Sequence, residues 1–187
     1  MARTEDPSHF RDLAFGYYIT GRFAALNQLN VAPNLMHHAI ELLIKFTLTQ
    51  ELPRSQQSAA TTQLAHKYGH RLNALWSQYK KHVAPADLSR FDPVIAELHR
   101  WEYVRYGGFP NPGTSVAKSY GILRAPSPSS ETRDVYVFGL EEMDDLFTAM
   151  FAASSINPPS IGTWYAPTAI PEWYAKYNYH VMPDLFG

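Results

Sequence analysis

The sequence contains no cysteine, and charged residues make up only 18% of its 187 residues. The absence of cysteine excludes disulfides, cysteine nucleophiles and thiolate metal sites, and it is typical of a reducing compartment. The first thirty residues lack the apolar core of a signal peptide, and no apolar run is long enough to span a bilayer. We therefore expect a cytoplasmic protein that has no membrane partner.

Neither sign of charge dominates, because the formal net charge is −1. No global electrostatic signal for nucleic acid is therefore present. The charges are unevenly distributed, since residues 34–108 hold nine basic and six acidic side chains, and residues 109–187 hold four and eight. A mildly basic middle segment can attract a phosphate-bearing ligand, although an ordinary solvated surface explains the same distribution and is the simpler interpretation.

Apolar residues make up 45% of the chain, enough for a packed core. The most apolar helical run is Asn34–Leu48, where apolar residues recur every three and four positions. Its apolar arc is too wide for a helix with one buried stripe, so we expect a central helix with neighbours on several sides. Glu41 and Lys45 lie one turn apart and are expected to mark its polar edge.

Other segments complete a helical pattern. A first helix is predicted from Asp6-Pro7 to about Asn30, antiparallel to the central helix, with Gly21 and Ala25 allowing a close approach. Further helices are predicted over 64–82, interrupted at Gly69, over 85–108, and over 140–156. Residues 54–63 are small and polar, and we expect a loop or a weak short helix there.

Residues 109–139 are rich in proline, serine and glycine. They include two β-prone pieces, 118–123 and 134–138, which predict a small inserted β-hairpin or loop. Residues 158–187 form a tail rich in proline and aromatic residues, expected to pack on the bundle or on a partner. The predicted fold is all-α: an up-and-down bundle of four to five main helices in one domain, 1–157, followed by this extended tail.

Three segments then carry a family resemblance. His37–Lys45, with its apolar helix bearing Glu41 and Lys45, resembles the second helix of HEPN domains. Tyr68–Trp76 resembles the Gly-His segment that opens their third helix, with Arg71 where an aspartate is common, and Trp101–Gly108 resembles the end of their fourth helix. The resemblance implies a helical bundle, commonly a homodimer, that is associated with nucleotide or RNA chemistry.

The same resemblance argues against catalysis. HEPN ribonucleases carry an arginine followed four to six residues later by histidine, near the end of the fourth helix. Here Arg100 and Arg105 are present, but residues 106–112 contain no histidine. An arginine supplies a cation at a phosphate but no proton transfer, which RNA cleavage needs. We therefore expect no catalytic residues, with an atypical ribonuclease as an alternative.

The resemblance and the basic middle segment select phosphate-binding candidates. They are Arg100, Arg105, Lys45 and His70. The alternative for the arginines is a pair of i,i+3 ion pairs, Glu97–Arg100 and Glu102–Arg105, which we favour on general grounds.

Two pairs of histidines are candidate ligands for a metal ion. His66 and His70 are one turn apart, but a capping or surface role is the preferred interpretation, because Gly69 interrupts the helix between them. His37 and His38 are expected to face two sides of the central helix and not to share an ion. We expect no metal and no cofactor.

The sequence thus predicts a non-catalytic HEPN-like protein that dimerises and binds a nucleotide or RNA. The main alternative is a structural or interaction module that binds a protein partner and no small ligand.

Overall fold

The described chain consists of six α-helices and two short strands. The structure, a computed structural model, describes residues 8–84, 86–105, 117–121 and 135–156. The helices are α1 (Ser8–Leu26), α2 (Ala32–Thr49), α3 (Arg54–Tyr68), α4 (Leu72–His82), α5 (Asp92–Arg105) and α6 (Leu140–Ala153), and the strands are β1 (Ala117–Gly121) and β2 (Val135–Gly139). The predicted helical bundle is confirmed. Among the described helices, none is both long enough and apolar enough to cross a bilayer.

The Asp6-Pro7 helix start and the aromatic tail, 158–187, lie outside the described residues, as does most of the 109–139 insertion. The domain division at 157 is for this reason still a prediction.

The helices α1 and α2 pack along each other and are joined by a short connection. A tight turn closes α1, with Leu29 N donating to Ala24 O at 2.8 Å. Pro33 then occupies the first turn of α2, where a missing backbone N–H costs nothing. Gly21 lies where the helices approach most closely, since a Cβ built there would be 3.1 Å from Met36 Sδ. The close approach that was predicted at Gly21 is confirmed.

The helix α2 is central, as its wide apolar arc predicted. It packs against α1, α3, α4 and α5, and its apolar residues Met36, Ala39, Ile40, Leu43 and Ile44 are fully buried. The expectation that Glu41 and Lys45 mark a polar edge is wrong, because only 4% of Glu41 and 7% of Lys45 is exposed. Neighbouring helices cover this side of α2 as well.

The region between α2 and α4 differs from its prediction. Residues 54–63 belong to the fifteen-residue helix α3, even though they show no apolar periodicity. The buried amide of Gln57 secures the start of α3 by donating to Leu52 O at 2.8 Å. Gly69, with a φ of +53°, then ends α3, and α4 begins at Leu72. The predicted interruption at Gly69 is confirmed, and it separates His66 from His70.

Helix α5 contacts α2, α4 and β2. A short 3₁₀ helix (Ser89–Phe91) precedes α5, which begins at Asp92 with Pro93 in its first turn and therefore starts later than the predicted residue 85. The strands β1 and β2 occur near the two β-prone pieces, but they pair in parallel, with Ala117 opposite Val135 and Gly121 opposite Gly139. A β-hairpin would require antiparallel strands, so β1 and β2 do not form one with each other.

Side chains of α5 hold β2 in place. Glu97 Oε1 accepts a hydrogen bond from Val137 N at 2.8 Å, and Trp101 Nε1 donates to Val137 O at 3.0 Å. Strand β2 leads directly into α6, so these bonds also position the last helix.

Polar contacts join α6 and the residue that follows it to α1 and α4. Asp144, which is fully buried, forms an ion pair with Arg22 and accepts a hydrogen bond from Tyr18 Oη at 2.6 Å. Tyr79 of α4 donates to Met150 O at 3.0 Å, and its Oη lies 2.8 Å from Ser154 Oγ. Burial raises the pKa of Tyr79 to about 12, although the Ser154 hydrogen bond opposes this rise.

The two glycines of α1 provide a matched pair of substitutions. Gly16→Ala is expected to raise the free energy of unfolding by about 0.5–1 kcal/mol, because alanine has the better helix propensity and nothing lies within 4 Å of the new Cβ. Gly21→Ala gains the same propensity but pushes on Met36, so most of the gain should be lost. Urea denaturation measures both values. An equal gain at both positions would show that α1 and α2 are not in close contact at Gly21.

Tyr79 makes the stability depend on pH in the alkaline range. Because its folded pKa of about 12 exceeds the ordinary value of 10, the unfolded chain ionises first as the pH rises. The neutral phenol's contribution is therefore fully present below pH 10 and is lost toward pH 12, by on the order of 2–3 kcal/mol. Between pH 10 and pH 12, the free energy of unfolding of Tyr79→Phe should fall less than that of the natural chain. Urea denaturation measures both, and equal falls would contradict a raised pKa of Tyr79.

Candidate functional site

Three imidazoles surround one carboxylate oxygen beside the central helix. Glu41 Oε2 lies 3.1 Å from His70 Nδ1, 3.7 Å from His37 Nε2 and 4.0 Å from His38 Nδ1. Helix α2 supplies three of these residues, and the short junction between α3 and α4 supplies His70. We refer to His37, His38, Glu41 and His70 as the Glu41 cluster.

The second oxygen of Glu41 is occupied by Lys45, whose ammonium donates to Oε1. Burial by itself raises the pKa of Glu41, but the hydrogen bonds and charges of Lys45 and His70 outweigh it, so the net pKa lies below its usual range. Glu41 is therefore an ionised carboxylate at neutral pH. Lys45 serves as its internal counter-ion, and Oε2 is the oxygen directed at the histidines.

His37 has a defined tautomer. Its ring is fully buried, and Nδ1 lies 3.3 Å from Leu98 O, which as a carbonyl oxygen accepts a hydrogen bond. With the proton on Nδ1, the lone pair is on Nε2, which makes no hydrogen bond within the described chain. Burial lowers the pKa of His37, although the charge of Glu102 opposes this shift. A neutral lone pair thus faces the Glu41 carboxylate.

His37 and His38 were expected to face two sides of the helix, but one ring nitrogen of each lies within 4.0 Å of Glu41 Oε2. Successive helical residues do diverge, but Glu41 lies three and four positions farther on and falls between them on the helix surface. Both rings therefore reach the same carboxylate. The spacing His-His-x-x-Glu on a single helix is the signal in the sequence that would have revealed this.

The predicted phosphate-binding residues divide into two groups. Lys45 and His70 meet at Glu41. Arg100 instead contacts Glu97 Oε2 at 2.7 Å and Val135 O at 3.2 Å, and its guanidinium lies 4.7 Å from the ring centre of Tyr136. The alternative Glu97–Arg100 ion pair is thus present.

Arg105 is the last residue of α5, and its side chain lies outside the described residues. Its predicted pairing with Glu102 and its predicted contact with phosphate both stay predictions.

A surface cleft of about 300 Å³ opens between the end of α2 and the facing sides of α3 and α4. Its polar lining consists of Thr49, Gln63, Lys67, Tyr68, Gln78 and His82. The Lys67 ammonium lies 5.0 Å from the centre of the Tyr68 ring. We refer to this space as the α3–α4 cleft. Sequence reasoning missed it, because α3 was not predicted as a full helix.

Comparisons with family models, with curated proteins and with solved structures found no match to this chain. The function must therefore be argued from the chemistry of the Glu41 cluster and the α3–α4 cleft.

The burial of Glu41 and Lys45 predicts a non-additive pair of substitutions. Glu41→Leu is expected to lower the free energy of unfolding by about 3–5 kcal/mol, because it leaves the Lys45 ammonium buried without its counter-ion. The double variant Glu41→Leu/Lys45→Met should lose less than the single variant, since no isolated charge is left. Urea denaturation measures the cycle.

Glu51→Gln, which changes an exposed glutamate near the end of α2, serves as the control and should cost less than about 0.5 kcal/mol. Additive losses in the cycle would mean that Glu41 and Lys45 do not stabilise each other.

Proposed function

We propose that this protein is a non-catalytic, HEPN-like cytoplasmic homodimer that binds a nucleotide or a short single-stranded RNA segment. The observation that carries the proposal is the α3–α4 cleft, where an aromatic ring, a lysine and amide side chains line one space. Its volume of about 300 Å³ matches the lower end of the range for small-molecule sites.

Each part of a nucleotide has a suitable contact in this cleft. The half-buried ring of Tyr68 offers a face on which a base can stack. Lys67 and His82 are exposed at the same cleft and can donate to a phosphate. The amides of Gln63 and Gln78 both donate and accept hydrogen bonds, as the edges of a base require. The described lining includes no carboxylate that would repel a phosphate.

The cleft is a better phosphate site than the residues selected from the sequence. At Lys45 a phosphate would have to displace Glu41 inside the core, and at Arg100 it would compete with Glu97. Lys67 is exposed, so a phosphate can approach it without breaking a buried ion pair. Arg100 and Arg105 are accordingly secondary candidates within this proposal.

The arrangement of the resembling segments adds support. His37, Glu41 and Lys45 come from the segment that resembles the second HEPN helix, and His70 comes from the Gly-His segment. These residues meet at one carboxylate in the fold. The homodimer is proposed from the resemblance, and the interaction module without a small ligand is the alternative.

The proposal predicts which surface charge matters for binding. Lys67→Glu and Tyr68→Ala should each weaken the binding of a fluorescein-labelled single-stranded RNA by about tenfold, because they remove a phosphate contact and a stacking ring. Fluorescence anisotropy at fixed salt measures the affinity. Native mass spectrometry of the same samples reports dimer mass and any bound AMP or ATP.

Lys81→Glu is the matched control, because Lys81 is exposed on α4 but does not line the cleft. An equal loss with Lys81→Glu would indicate binding by general charge and not by the cleft. A dimer that bound neither the RNA nor AMP or ATP would instead favour the interaction module. A monomeric mass at micromolar concentration would contradict the homodimer.

A further inference from the structure

We propose that the Glu41 cluster is a binding site for one divalent transition-metal ion, with His37 Nε2, His38 Nδ1, Glu41 Oε2 and His70 Nδ1 as ligands. This inference goes beyond the proposed function and does not depend on it, because none of the four residues lines the α3–α4 cleft.

Three of the four donor atoms, those of His38, Glu41 and His70, lie close enough together for one ion, and His37 Nε2 faces the same carboxylate oxygen. Bonds of about 2.1 Å to zinc place neighbouring ligand atoms about 3.4 Å apart. The three histidine nitrogens lie 3.1, 3.7 and 4.0 Å from Glu41 Oε2 and so bracket this value. The ligand atoms of His38, Glu41 and His70 all lie within 4.8 Å of one another. Small rotations of the His38 and His70 side chains would close this triangle around an ion.

His37 supplies the second, independent observation. Its Nε2 is completely buried, forms no hydrogen bond within the described chain, and faces the Glu41 carboxylate at 3.7 Å. Two lone-pair-bearing atoms that face each other in this way repel unless a proton or a metal cation lies between them. The Leu98 carbonyl accepts from the other ring nitrogen, the support that metal-binding histidines usually have.

Lys45 determines how Glu41 can bind the ion. Because the ammonium occupies Oε1, the carboxylate offers only Oε2 and would bind through one oxygen. By holding Oε1, Lys45 orients the carboxylate, as residues that donate hydrogen bonds to metal ligands do.

The donor set selects the class of metal. Three imidazole nitrogens and one carboxylate oxygen suit Zn²⁺, Co²⁺, Ni²⁺ or Cu²⁺, whereas Mg²⁺ and Ca²⁺ prefer sites made of oxygen. Thiolate ligands are excluded, since the chain has no cysteine. The His70 side chain is 54% exposed and gives an ion in solvent a path to the buried carboxylate.

The test uses the full chain, purified without a histidine tag and stripped with a chelator. Titration with Co²⁺ should produce the visible absorption of a four-coordinate ion, saturating at one ion per chain, and Zn²⁺ should displace it. His70→Ala and His38→Ala should each weaken Co²⁺ binding by at least about tenfold. Zn²⁺ should also raise the melting temperature of the natural chain, whereas Mg²⁺ at the same concentration should not.

His66→Ala is the matched control. His66 is an exposed histidine four residues before His70, and it lies outside the cluster. It should bind Co²⁺ like the natural chain. Lys67→Glu should also retain Co²⁺ binding, which separates this inference from the nucleotide proposal. Far-UV circular dichroism checks that each variant is folded.

Three outcomes would overturn the site: no visible band with Co²⁺ together with no Zn²⁺-induced rise in melting temperature, unchanged Co²⁺ affinity in both folded His38→Ala and His70→Ala, or an equal loss in His66→Ala. If a variant does not fold, His70→Gln, which keeps a polar side chain at the exposed position, replaces it and should show the same loss of Co²⁺ affinity.

Discussion

The buried carboxylate of Glu41 is the constraint around which the helices are arranged. An ionised group inside a core is stable only when charges and hydrogen-bond donors surround it. Lys45 provides the charge from the same helix, but His70 must come from the junction between α3 and α4. That junction can deliver His70 only because Gly69 turns the chain with a positive φ, which side chains with a Cβ disfavour. The buried charge of Glu41 therefore depends on the backbone conformation of Gly69.

A second buried ion pair joins α1 to α6. Asp144 of α6 meets Arg22 and Tyr18 of α1, although more than a hundred residues separate them along the chain. Tyr18 also stacks on Phe147, with ring centres 4.0 Å apart. Apolar packing alone tolerates many relative positions of two helices, whereas a buried ion pair tolerates few. The two ionic centres fix the position of α1 and of the α3–α4 junction.

The sequence predicted those elements whose apolar residues repeat at helical spacing. Helix α2, the close approach at Gly21 and the end of α3 at Gly69 followed from local rules. Helix α3 did not, because its residues are small and polar and its stability comes from contacts such as that of Gln57 with Leu52. The strand segments were located but not their direction, since local β propensity does not decide whether two strands pair in parallel or antiparallel.

The candidate site was predicted only in part, for a related reason. Lys45 and His70 were selected as residues that bind a phosphate, yet their nearest partner is Glu41, an acid that pattern reasoning had assigned to the surface. The histidines were compared only in pairs, His37 with His38 and His66 with His70. The cluster instead forms around Glu41, which lies between His37 and His38 on the surface of α2.

The α3–α4 turn connects the two candidate sites. Lys67 and Tyr68 line the cleft just before Gly69, and His70 enters the Glu41 cluster just after it. A ligand that orders one side of so short a turn restricts the backbone of the other, and any such coupling acts equally in both directions. Both the cleft and the cluster thus depend on the backbone conformation of Gly69, although no side chain belongs to both.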